Sequence, residues 1–220
     1  MPSSKLERER DRVAQAARRL AADGLVTGTA GNVSERSGEL IAVTPTGAEL
    51  NALRAEDIAV VDLDGEHVGG DLAATSELGL HLGVYRRYDA GAVVHTHAPF
   101  ATALACVLDE LPVVHYQMLA LGGPVRVAPY ATFGTPALAE LTLEALDGRS
   151  AALMANHGAI TYGPDLDAAI KQSALLEWGC SLYWHARAIG NPRALDQADQ
   201  LAFIEAVTER GYGVTRRSEA

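Results

Sequence analysis

Apolar residues at Leu6, Val13, Ala17 and Leu20 share one face at helical spacing, with charged residues between them. This predicts an amphipathic first helix that closes at Gly24. Beyond it the period shortens. Ile41-Ala42-Val43 reads as a strand running into the turn Thr44-Pro45-Thr46-Gly47, and Ile58–Asp62 as a second strand closed by Asp64-Gly65. Residues 77–87 return to helical spacing, with Ser76 as candidate N-cap. The β-branched run Ala92-Val93-Val94-His95 predicts a strand, and a helix follows from about Phe100 to Leu108. The second half alternates in the same way. It holds a strand at Val125-Arg126-Val127, a helix opened by Thr135-Pro136 and left at Gly148, and a strand from Ala151 to Met154. Ile160-Thr161-Tyr162 reads as a continuation of that last strand, and a long helix runs from roughly Leu166 to Ile189. Short strands alternating with helices predict an α/β or α+β fold in which helices cover a sheet. No linker, repeat or low-complexity tract divides residues 1–220, so a single domain is expected.

Composition narrows the class. Of 220 residues 48% are hydrophobic and 21% charged, ordinary values for a globular chain that buries a core. The formal net charge of −10 lacks the electrostatic footprint of a nucleic-acid binder. Recognition of an anion is then left to local N–H groups and hydroxyls. The opening stretch Lys5–Arg12 is charged where a signal peptide would carry an apolar run of about 7–15 residues. No later run approaches the roughly 18 apolar residues of a membrane span. Cys106 and Cys180 are too few for a disulfide framework. The expectation is a cytoplasmic protein with reduced thiols and neither a nucleic-acid nor a membrane partner.

The candidate chemistry lies with histidines. In a strand, residues i and i+2 point to one face, so His95 and His97 can converge on one ion. Spacing alone leaves a His-x-His weak, since surface and core histidines are common. His157 also follows a predicted strand and precedes Gly158, which leaves room beside the backbone. Three imidazoles with a fourth position open is the ligand pattern of a catalytic zinc. His81 shares a helix face with Leu78, Leu82 and Tyr85 and reads as a core or supporting residue. His67 reads as exposed, His115 as part of a strand near Tyr116, and His185 as late in the long helix. Glu77 is the candidate acid/base, although a first-turn carboxylate is already favoured by the helix dipole. Thr75-Ser76, Gly31-Asn32 and Thr46-Gly47 offer hydroxyls and N–H groups that could hold a phosphate, without a P-loop or a dinucleotide fingerprint. Glu177 interrupts the apolar stripe of the long helix, and a buried pairing with an arginine is the expectation there.

Together, the segments GTAGNVS (28–34), TPTG (44–47), TSE (75–77), AVVHTHA (92–98), HY (115–116), APYATFGT (128–135) and NHG (156–158) resemble the class II aldolase/adducin family, in family order. The resemblance implies a three-layer α-β-α fold with a largely antiparallel central sheet. It implies one Zn2+ per subunit held by His95, His97 and His157, with Glu77 close enough to ligate it and to act as acid/base. Gly31, Asn32, Thr46, Gly47, Thr75 and Ser76 would surround a substrate phosphate, and Phe133 and Tyr212 would line the aldehyde end. Related aldolases are homotetramers with active sites between subunits, and Tyr116 would reach into the neighbour's site as a proton-handling residue. The reaction implied is reversible cleavage of a ketose 1-phosphate, of the L-fuculose 1-phosphate kind, to dihydroxyacetone phosphate and a small aldehyde. Family 4-epimerases usually carry aspartate where Glu77 stands and lysine before Pro45, where this chain has Thr44, so both positions favour aldol cleavage. Dehydration, decarboxylation and a metal-free adducin-like interaction module are the other family outcomes.

Overall fold

The computed structural model describes residues 6–210. Helix α1 (Glu7–Ala22) precedes the strands β1 (Asn32–Ser37), β2 (Leu40–Val43), β3 (Ala59–Asp62) and β4 (His67–Gly69). Then come α2 (Leu78–Arg87), β5 (Ala92–Thr96), α3 (Pro99–Ala105), β6 (Glu110–Leu111) and a 3-10 helix over Tyr116–Leu121. The chain closes with β7 (Val125–Ala128), α4 (Pro136–Ala145), β8 (Ala151–Met154), β9 (Gly158–Gly163), α5 (Leu166–Ile189) and α6 (Gln197–Arg210). The strands form one sheet in the order β4-β3-β2-β1-β5-β9-β8-β7-β6. Every pairing is antiparallel except β7 with β8.

Side chains alternate between the two faces of this sheet, which separates two cores. Val33, Ala92 and Val94 pack with Val13, Ala17 and Leu20 of α1 and with residues of α3 and α5. Ile41, Val93 and Ile160 pack on the opposite side with Leu80, Val84 and Tyr85 of α2 and Leu138 and Ala145 of α4. Helices therefore cover both faces, giving the three-layer arrangement with a mostly antiparallel sheet. No helix among the described residues is long and apolar enough to cross a membrane.

Several local expectations change. Ile160-Thr161-Tyr162 does not extend β8. The chain turns at Asn156, whose φ of 55° asparagine tolerates better than most residues, and β9 returns antiparallel with Met154 opposite Gly158. Ser76 is not the cap of α2. Glu77 occupies that position without a side-chain cap bond, while the Thr75 hydroxyl accepts the Glu77 N–H at 3.3 Å. His115 belongs to no strand: its Nδ1 accepts the Gln117 N–H at 3.2 Å and caps the 3-10 helix. Among the described residues Glu177 pairs with no arginine. Its carboxylate accepts the N–H groups of Phe100 at 2.9 Å and Ala101 at 2.8 Å, which caps α3 from α5. A negative charge at a helix N-terminus also opposes the helix dipole favourably, so a carboxylate in an apolar stripe is explained.

Candidate active site

Antiparallel pairing brings three separate segments to one point. Asn32 of β1 lies opposite His95 of β5, which in turn lies opposite Ile160 of β9. His95 is fully buried and its Nδ1 faces the Ala159 carbonyl at 2.9 Å. A carbonyl only accepts, so Nδ1 is the donor there and Nε2 faces the cleft and Glu77. His97 follows two residues later on the same side, its Nε2 2.9 Å from that of His95. His157 arrives from the β8–β9 turn. The three rings meet edge to face with centroids 4.7, 4.9 and 5.0 Å apart, and their ligand nitrogens all lie within 4.8 Å of one another.

Close packing at this point depends on two glycines. A Cβ on Gly158 would stand 2.3 Å from the Thr96 carbonyl oxygen and 3.3 Å from His95 Cε1. Gly31 has φ 102°, and a Cβ there would meet Val26 Cγ1 at 2.7 Å and the His95 carbonyl oxygen at 3.0 Å.

Glu77 spans the cluster. Its Oε2 lies 3.1 Å from His95 Nε2, its Oε1 3.3 Å from His157 Nε2, and Asn32 Nδ2 donates to Oε2 at 2.9 Å. Burial alone would raise the Glu77 carboxyl, but hydrogen bonding and charge from His95, the Asn32 amide and His157 hold it well below the usual carboxylate range. Burial, reinforced by the neighbouring His95 and His157, pushes His97 down to about 4, and burial followed by His95 lowers His157. His97 and His157, both held toward their neutral form, offer ring lone pairs beside the Glu77 carboxylate, as a divalent cation requires. Glu77 Oε1 is buried without a hydrogen-bond partner, and the His95 and His97 nitrogens face each other with no carbonyl between them. An ion held by the three imidazoles would satisfy these atoms together, so the donor set fits zinc.

The cluster stands at the head of a cleft of about 280 Å³. Gly31, Asn32, Thr46, Gly47, Thr75, Ser76, Glu77, His97, Phe133 and His157 all line it, with His95 buried behind them. No lysine or arginine is among the described residues that line it. Thr44 is buried instead of facing the cleft. Its hydroxyl accepts the Val33 N–H and its carbonyl the Thr75 N–H, both at 3.1 Å, which ties the β1 strand to the Thr75-Ser76 loop.

Tyr116 does not line the cleft of its own chain. It stacks on His115 at 4.4 Å and packs on Phe203 of α6 at 4.8 Å. Tyr212 falls outside the described residues. Tyr130 and Asn156 join the lining without having been singled out. Both sit in irregular loops, where periodicity carries no signal, and only their nearness to Phe133 and His157 in sequence pointed to them.

Hydroxyl-rich loops, a histidine cluster and a bridging glutamate on this sheet define a family. The chain matches the model of the class II aldolase and adducin N-terminal domain over residues 11–184, and it belongs to that family. Within it the chain is a lyase, since named aldolases match most of its length. It is 38% identical over 202 residues to the 5-deoxy-D-ribulose 1-phosphate aldolase of Bacillus thuringiensis serovar kurstaki, covering 90% of this chain and 95% of that protein. It is 41% identical over 203 residues to the 5-methylthioribulose-1-phosphate/5-deoxyribulose-1-phosphate aldolase of Rhodospirillum rubrum, covering 91% and 90%. Among solved structures, an L-fuculose 1-phosphate aldolase superposes with a TM-score of 0.87 at 34% identity, covering 94% of this chain and 98% of that one.

Proposed function

We propose that this chain is a zinc-dependent aldolase of the cytoplasm that reversibly cleaves a ketose 1-phosphate to dihydroxyacetone phosphate and a small aldehyde. The observation that carries this reading is Glu77, ionised and buried, bridging His95 and His157 at the head of a cleft whose other walls are hydroxyls and turns. Relatives and a solved neighbour named for 5-deoxyribulose 1-phosphate, 5-methylthioribulose 1-phosphate and L-fuculose 1-phosphate support a 1-phosphorylated ketose.

His95, His97 and His157 would hold one zinc ion per subunit, which would supply a Lewis acid for the ketone oxygen of the bound sugar phosphate. The phosphate lies among Gly31, Asn32, Thr46, Gly47, Thr75 and Ser76, with hydroxyls and N–H groups in place of a cation. In the condensation direction the Glu77 carboxylate takes a proton from C3 of dihydroxyacetone phosphate. The electron pair left there attacks the aldehyde carbon, and the phenol of Tyr116 gives its proton to the oxygen that becomes the C4 hydroxyl. Cleavage reverses these transfers. Tyr116 reaches the cleft from an adjoining copy of the chain in a homotetramer. Support for that assembly is the position of Tyr116 outside its own cleft, together with the exposed apolar side chains Trp178, Trp184, Leu201 and Ile204. Phe133 and Tyr212 stand at the aldehyde end.

The test is a coupled assay for dihydroxyacetone phosphate released from 5-deoxy-D-ribulose 1-phosphate and L-fuculose 1-phosphate, before and after chelation. Release that stops on chelation and returns with zinc supports the proposal. A zinc-loaded protein that releases nothing from either sugar sinks it.

A further inference from the structure

A second constellation lies behind the cleft. Glu77, His81 and Tyr85 recur every four residues from the cap of α2 onward, and so lie on one stripe facing the sheet. Opposite them, Asn32 and Ser34 of β1 point the same way because they are two residues apart. All five residues are buried. The Tyr85 hydroxyl is 2.7 Å from Ser34 Oγ, and Ser34 Oγ is 2.6 Å from His81 Nδ1. His81 Nε2 bonds Asn32 Oδ1, and Asn32 Nδ2 bonds Glu77 Oε2 at 2.9 Å.

Donor and acceptor roles along this chain are forced from its active-site end. Asn32 Nδ2 donates to Glu77 Oε2, which leaves the Asn32 oxygen facing His81. His81 must then carry its proton on Nε2. Burial, and after it the charge of His95, lowers the His81 pKa to about 3, so the ring is neutral and Nδ1 is left as an acceptor. Ser34 therefore donates to Nδ1. The Tyr85 phenol, which burial holds in its protonated form, donates to Ser34. Every hydrogen points toward Glu77.

We propose that His81, backed by Ser34 and Tyr85, is a positioning residue that locks the Asn32 amide so that Oε2 of Glu77 is tied down and Oε1 is left for proton transfer. The proposal rests on Glu77 being the acid/base of the aldolase reading. It assigns the Asn32 side chain to Glu77 in place of the phosphate, because both ends of its amide are engaged. With the opposite tautomer of His81, Asn32 would present an oxygen to the carboxylate, and like partial charges would push Glu77 away.

The test compares zinc-loaded wild type with H81F and H81Q, following proton exchange at C3 of dihydroxyacetone phosphate in D2O by NMR. Phenylalanine keeps most of the ring volume but makes neither bond, whereas the glutamine amide can donate to Asn32 and accept from Ser34. We expect H81F to slow exchange by about tenfold to a hundredfold, with zinc content kept and KM within about twofold. H81Q should recover to within about threefold of wild type. Equal loss in both variants, or undiminished exchange in H81F, overturns the proposal. Should H81F fail to fold, 15N NMR of histidine in the wild-type holoenzyme decides: an Nε2–H tautomer at His81 supports the chain and an Nδ1–H tautomer refutes it. A wild type that exchanges no C3 proton would refute the aldolase reading instead, while the tautomer still decides the relay.

Discussion

Gly158→Ala adds one methyl group at the point where the sheet holds the histidines together. Gly158 is not in the left-handed region, so alanine meets no backbone penalty there and the question is one of space alone. The new Cβ would lie 2.3 Å from the backbone oxygen of Thr96, and carbon and oxygen settle at about 3.3–3.6 Å. The obstacle is backbone, so β5 and β9 must separate by about 1 Å where Thr96 faces Ala159. Such overpacking costs about 1–3 kcal/mol, and for a chain of this size each kcal/mol lowers Tm by roughly 2–4 °C. The same shift moves His95 and His97 away from His157, although zinc–ligand distances hold to within about 0.2 Å. Zinc affinity should fall by at least about tenfold, the lower end of what disturbing a ligand's supports costs. Competition with a chromophoric chelator reads the affinity, and calorimetry of the zinc-free protein reads Tm. Gly79→Ala is the control: it lies exposed on α2, its Cβ would meet nothing within 4 Å, and about 0.4–1 kcal/mol of stabilisation is expected. A Gly158→Ala protein with wild-type zinc affinity and wild-type Tm would refute the packing argument.

Three further outcomes are expected. Glu77→Gln keeps the side-chain shape but removes the base, so kcat should fall about 10²–10⁴-fold while the three imidazoles retain zinc; turnover near wild type in the coupled assay would contradict the assigned role. Glu177→Ala leaves the Phe100 and Ala101 N–H groups without their carboxylate and should cost about 1–3 kcal/mol in urea unfolding, with KM unchanged; equal stability would show that the cap is idle. Burial holds His81 at about 3 and His97 at about 4, below their ordinary 6.5, so the unfolded chain binds protons that the folded chain refuses. Stability of the zinc-free protein is therefore greatest above pH 6.5 and falls as the pH is lowered toward 4; a urea midpoint that is flat or rising from pH 7 to 5 would contradict that sign.

The elements legible in the sequence are those whose signals are local. The Thr135 cap with Pro136 behind it, the period of α1 and the length of α5 each follow from neighbouring residues, and the structure has all three. The same holds for His95 and His97, since a period of two is enough to put them on one face. What stayed hidden depends on contacts across the chain. The role of Glu177 rests on N–H groups 76 and 77 residues away. The β8–β9 reversal turns on Asn156, whose left-handed conformation shows only once Met154 is seen opposite Gly158. Helix α6 carries Leu201, Phe203, Ile204 and Val207 at helical spacing, yet none of its described residues is buried, so its apolar positions do not join either core.

His81 shows where the two kinds of signal meet. Its burial was legible from the apolar residues sharing its helix face, but a buried imidazole must also find partners for both nitrogens. Those partners are Ser34 and Asn32, 47 and 49 residues earlier. Only the register of β1 against β5 and the packing of α2 on that face bring them within reach. A polar residue at an apolar position is thus a local sign of a distant obligation. In this fold the obligation ends on Glu77, the carboxylate the cleft is built around.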